Sequence, residues 1–100
     1  MVTAKKVIWT EAAKKDLQQI YMRKAARSAD QAKAVVEAIL NATEELNTKY
    51  PAGTPEPLLA AEKEPYKFII VGFYRVIYSV VGEEVLIEVI LHQRQYPVVS

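Results

Sequence analysis

Arg75, Glu88, His92 and Arg94 are the residues of this 100-residue chain whose types and spacing could do chemistry together, with Tyr96 just beyond them. Two guanidiniums can hold an anion or a developing negative charge. An imidazole or a phenol can give up a proton, and a carboxylate can take one. There is one histidine and no cysteine, so the sequence offers no thiolate nucleophile, thiolate metal site or disulfide. The chemistry in view needs neither metal nor cofactor. Each residue also has a plainer reading. A lone histidine at a strand end is ordinarily a surface or half-buried polar group, and Arg75 beside Glu88 is ordinarily a surface ion pair of small net effect.

The elements that must position these groups are strands. Residues 66–71, 74–81 and 84–92 are rich in Val, Ile, Tyr and Phe, which favour strands. Gly72-Phe73 and Gly82-Glu83 are two-residue links with glycine first, suited to tight hairpins. They predict a three-stranded antiparallel meander.

Two helices precede it. After a short strand at 5–9, Thr10 stands where an N-cap belongs, with Glu11 in the favourable first turn. Ala13, Leu17, Ile20 and Tyr21 form one apolar stripe. A second helix starts near Ser28 or Asp30, with Ala32, Val35, Val36, Ile39, Leu40, Thr43 and Leu46 on one face. Residues 49–65 contain four prolines and read as a loop, with room for a helical turn at 58–63. The fold class is therefore α+β: β-α-α-β-β-β, a helical hairpin packed on one face of an antiparallel sheet.

Two-residue turns fix a register. Val71 then opposes Tyr74, Val81 opposes Glu84, Arg75 lies between Ile70 and Ile90, and Phe73 faces His92. Alternation puts Phe68, Ile70, Phe73, Arg75, Ile77, Glu88, Ile90 and His92 on one face, with Arg94 continuing the series. The other face holds Ile69, Tyr74, Val76, Tyr78, Val80, Val85, Ile87, Val89 and Leu91 and is assigned to the helices. The first set leaves large apolar groups facing outward around the charged ones, the character of an interaction surface.

Composition agrees with one folded domain spanning residues 1–100: 51% apolar and 25% charged residues. A net charge of +1 argues against a chain whose main task is gripping nucleic acid. No apolar run reaches the roughly 18 residues of a membrane span. The first residues carry lysines where a signal peptide would be apolar, so a cytoplasmic location is expected.

The opening Trp9-Thr10-Glu11 with Asp16-Leu17 and Ile20, the strand Tyr74-Arg75-x-Ile77-Tyr78 and the closing His92-x-Arg94 before Pro97 occur in order along nearly the whole chain. In this order the sequence resembles the RelE/ParE superfamily of bacterial toxins. The resemblance implies a small toxin paired with a cognate antitoxin that lies over an apolar groove. It leaves two targets: the ribosome, where the RelE branch cuts messenger RNA, or DNA gyrase, which the ParE branch inhibits by binding. For cleavage, Arg75 and Arg94 would stabilise charge and His92 or Tyr96 would act as the acid. A base is harder to find, because Phe68 and Ile70 stand where some nuclease relatives carry a carboxylate, and the lysines there are reduced to Lys63 and Lys67. The ParE-like, binding-only reading is favoured.

The chain also departs from the family. Val71-Gly72-Phe73-Tyr74 is an apolar turn where relatives carry polar turn formers, and Tyr21-Met22-Arg23-Lys24 replaces an aromatic-acidic run. Met22, Ala26, Phe73, Ile90, Leu91, His92, Arg94 and Tyr96 are the candidate partner-binding residues. Aromatic anchors beside small residues suit a packed interface. That interface is either the antitoxin groove or a surface resculpted for another partner, a designed one or a second copy of the chain, with toxicity lost.

Overall fold

The computed structural model describes residues 3–55 and 66–95. Tyr96 and the helical turn expected at 58–63 lie outside the described residues. Strand β1 (Lys6–Trp9) leads into helices α1 (Glu11–Ala25) and α2 (Ala29–Lys49). A short 3-10 turn at Tyr50–Ala52 precedes β2 (Thr54–Pro55). The meander follows as β3 (Tyr66–Val71), β4 (Tyr74–Val81) and β5 (Glu84–His92), closed by a 3-10 turn at Gln93–Gln95.

Both helices begin where the sequence places them. Thr10 Oγ1 accepts from the Ala13 N–H at 3.1 Å, and Ser28 Oγ accepts from the Gln31 N–H at 3.2 Å, so each cap satisfies an otherwise orphaned donor. The helices lie on one face of a five-stranded sheet of order β1-β5-β4-β3-β2. Ala13, Ile20, Ile39 and Leu46 pack there against Tyr74, Val76, Tyr78, Val85, Ile87 and Ile90. The α+β architecture is the expected one, with two additions. β1 runs parallel to β5, from Lys6 opposite Glu84 to Trp9 opposite Ile87, and the helical hairpin supplies the long crossover a parallel pair needs. β2, inside the proline-rich loop, pairs with Lys67 and Phe68.

The two hairpin turns also follow the sequence. Gly72 and Gly82 have φ of 59° and 57°, and no other described residue has positive φ. A left-handed first residue followed by an ordinary second one is the φ pattern of a type II′ turn, whose twist suits a hairpin.

The register of β5 differs from expectation. From Val81 opposite Glu84 to Tyr78 opposite Ile87 the pairing is as derived from the turns. The next pair is Ile77 with Val89, so Glu88 is an extra, bulged residue. One inserted residue reverses the alternation beyond it. Val76 then pairs with Ile90, Arg75 with Leu91 and Tyr74 with His92. Ile90 is therefore buried under the helices, and His92 shares that side with Tyr74. Leu91, assigned to the helices from the sequence, faces the opposite way with Arg75. Phe73 does not oppose His92 across the ladder; it projects from the turn and is 70% exposed.

The bulge is held in place by polar groups of β4, β5 and the start of α1. The Glu88 carboxylate accepts from Ser79 Oγ at 2.8 Å. Asp16 on α1 accepts from the Ile90 N–H at 3.0 Å, and Thr10 Oγ1 donates to the Ile87 carbonyl at 2.8 Å. β1 ends at Trp9, so α1 takes over the backbone groups of β5 that β1 no longer reaches.

Candidate functional site

The polar residues at the end of β5 meet the end of α1. Arg23 and Lys24 lie in the last turn of α1, where cations complement the partial negative charge of a helix C-terminus. Arg27 follows in the turn just beyond α1 and lines the same cleft as Arg23. From the sheet, β4 starts with Tyr74 and β5 ends with His92, paired to each other. Arg94 follows in the 3-10 turn, and its N–H donates to His92 Nδ1 at 3.0 Å. That bond assigns the proton of a neutral imidazole to Nε2.

Arg23, Lys24, Arg27, Tyr74, His92 and Arg94 line a cleft of about 430 Å³ with Ile20 at its base. The ion pairs among the described residues are Lys14–Glu11 at 3.4 Å and Lys49–Glu45 at 3.2 Å, both elsewhere. Arg23, Lys24, Arg27 and Arg94 thus line one cleft with no carboxylate partner among the described residues. Burial raises the pKa of the Tyr74 phenol above 10.0, and the positive charge of Arg23 works against that rise. The His92 ring stands edge-on to Tyr74 at 5.2 Å between centroids and lies parallel to Phe73 at 6.2 Å. The Gln93 N–H donates to the Phe73 carbonyl at 2.8 Å, tying the turn to the end of β5.

An apolar groove of about 330 Å³ adjoins the cleft and shares Lys24 and Tyr74 with it. Val35 and Ala38 of α2 form one wall, and Val71, Gly72 and Phe73 of the hairpin form the other. A third hollow, about 450 Å³, lies between Trp9, Leu17 and Tyr21 on one side and Val36 and Leu40 on the other.

Arg75 is separated from this region. It pairs with Ile70 and Leu91 on the far face of the sheet, and its guanidinium lies 3.7 Å from the centre of the Phe68 ring, in cation–π geometry. Of the expected site residues, the fold brings Phe73, His92 and Arg94 together. Met22 (63% exposed) and Ala26 are exposed at the end of α1 without lining the cleft. Ile90 is core and Leu91 is half-buried on the Arg75 face. The residues missed were Arg23, Lys24 and Arg27. Their signal was a cluster of cations at and just beyond the end of a helix, where the family run differs.

Three of the four convergent cations come from a helix end, so the region presents fixed positive charge beside exposed aromatic and aliphatic surface. Among the described residues no three His, Asp or Glu side chains gather as a metal site would require, and no helix is long and apolar enough to cross a membrane. The arrangement can hold anions and apolar groups side by side.

Comparison with known proteins agrees with this architecture. A chain of the solved structure of the chromosomal ParDE TA system from P. aeruginosa resembles this one with a TM-score of 0.75 at 19% identity, over 90% of this chain and 97% of that one. At that identity the likeness speaks for the fold. Comparison with curated protein sequences gives no match. The family model for the ParE toxin of type II toxin-antitoxin system, parDE, matches residues 7–97. The chain belongs to the ParE toxin family of type II toxin-antitoxin systems.

Proposed function

We propose that the protein is a cytoplasmic growth-inhibiting toxin that acts by binding an intracellular target of the DNA gyrase type, without covalent chemistry or a cofactor, and that a cognate antitoxin neutralises it. One observation carries the choice of binding over cleavage. Arg75, on the far face, stands apart from His92 and Arg94, so one of the two guanidiniums that cleavage of messenger RNA would need beside the acid is on the other side of the sheet. The contacts assigned to partner binding are Phe73, His92 and Arg94, joined by Arg23, Lys24 and Arg27. Expression in a bacterium without antitoxin tests the proposal. Growth arrest with intact message and blocked gyrase supercoiling supports it. Ribosome-dependent cleavage of message, abolished by Arg75→Ala, replaces it with the nuclease reading.

A second reading draws on the exposure of Phe73 and Met22. In it, the same turn surface is an interface with another copy of the chain or with a designed partner, and toxicity is absent. Self-association in sedimentation that Phe73→Asp abolishes, together with normal growth on expression, favours this reading.

A further inference from the structure

β1 clamps β5 only as far as Ile87. Trp9 opposite Ile87 is the last parallel pair, and the Thr10 N–H donates to the Ile87 carbonyl at 3.1 Å. Beyond that point β5 has β4 on one side and the Asp16 carboxylate on the other. The bulged Glu88 stands at this boundary, and Val89, Ile90 and Leu91 follow it, apolar at every position. Alternation of polar and apolar residues ordinarily fixes a strand's register, and this stretch lacks it.

Drawing Glu88 into the ladder moves each following residue back one place. Glu88 then opposes Ile77, Val89 opposes Val76, Ile90 opposes Arg75 and Leu91 opposes Tyr74. Val89 takes the place of Ile90 under the helices, and its N–H can take over the bond to Asp16. Ile90 replaces Leu91 beside Arg75, and Leu91 replaces His92 beside Tyr74. The exchange gives up one methylene of core packing and the Tyr74–His92 ring contact, and it gains a ladder without an unpaired residue. These are small, opposed terms.

We infer that β5 beyond Ile87 exchanges between the bulged register and a minor unbulged one, a two-position device that sets which face of the sheet carries His92. In the bulged position His92 lies beside Tyr74 on the helix side. In the other it joins Glu88 and Arg75 on the far face. A ligand that touches His92 in the cleft favours the bulged position, because only that position presents the ring there.

The test is nitrogen-15 relaxation dispersion and saturation transfer on the full-length protein, which detect a minor state of about 1%. Exchange with one common rate is expected at residues 88–93 and 74–77, with flat profiles at residues 6–9 and 85–87. Ile90→Val trims the residue that only the bulged register buries, so it should raise the minor population about threefold. Val89→Lys would put an ammonium under the helices in the unbulged register, so it should abolish the exchange while circular dichroism shows the domain intact. Deleting Glu88 removes the residue that feeds the slip. It should also abolish the exchange and keep Tyr74 opposite His92, seen as a cross-strand nuclear Overhauser effect. Flat profiles in both the wild type and Ile90→Val overturn the inference. So does exchange that spreads over residues 6–9 and 85–87, which marks general opening of the sheet, or exchange left unchanged by Val89→Lys.

Discussion

Tyr74 and His92 face each other across β4 and β5, their rings edge to face at 5.2 Å, on the helix side of the sheet. Arg75, one residue on, points to the other side. The pairing follows from the bulge at Glu88, and it divides the chain's polar groups into two separate surfaces. One is a cleft of cations beside an apolar groove, and the other is Arg75 lying on Phe68.

The bulge makes a stability prediction. Ile90 is 4% exposed under the helices, whereas Leu91 is half-buried on the far face. Ile90→Ala should cost about 3 kcal/mol through lost burial and an imperfectly filled cavity. Leu91→Ala should cost about half as much. Urea denaturation of both variants measures this. A larger loss at Leu91 than at Ile90 would restore the unbulged register.

Thr10 joins two elements through one hydroxyl. It caps α1 at Ala13 and donates to Ile87 of β5. Thr10→Ala should destabilise by about 1–2 kcal/mol, and Thr10→Ser, which keeps the hydroxyl, should restore most of that. Equal losses in the two variants would place the effect in the methyl group instead.

The Tyr78 ring is fully buried, and its hydroxyl donates to the Tyr50 carbonyl at 2.7 Å. Tyr78→Phe should therefore cost about 1 kcal/mol near neutral pH. Gly53→Ala should disturb the same spot, because a Cβ there would overlap the Tyr78 ring and hydroxyl. Burial raises the Tyr78 pKa above 10.0, with a backbone hydrogen bond from Gly53 opposing it. A folded-state pKa above the unfolded one gives stability that is complete below the unfolded pKa and is lost as pH rises towards the folded one. The advantage of wild type over Tyr78→Phe should therefore shrink above about pH 10. An advantage that stays level from about pH 8 to about pH 11 contradicts this assignment.

Much of the fold was legible because local chemistry and global packing agree. Thr10 and Ser28 mark helix starts, Gly72 and Gly82 supply the left-handed turn residues, and the strands carry Val, Ile and aromatic side chains. The register beyond Glu88 was not legible. A bulge adds one residue to an apolar run and leaves the composition unchanged. Its only trace was a glutamate between Ile87 and Val89, which reads equally well as an outward-facing strand residue. Half of the candidate surface followed from that register, so Ile90 moved into the core and Leu91 moved to the Arg75 face. Phe73, His92 and Arg94 stayed together because the turn and the strand end place them. Arg23, Lys24 and Arg27 join them only through the packing of α1 against β5, which no local pattern specifies.

Function should divide along the same line. Phe73→Asp and Arg94→Glu should each relieve growth arrest on expression, while Arg75→Ala should leave it intact, with soluble protein levels compared in each case. Loss of arrest in Arg75→Ala alone would move the functional surface to the far face.

The most direct test of the account is DNA supercoiling by purified gyrase in the presence of the purified protein. The account predicts inhibition that rises with protein concentration and is lost in Phe73→Asp, with messenger RNA left whole in the same cells. Unaffected supercoiling, together with message cut on ribosomes, would contradict it.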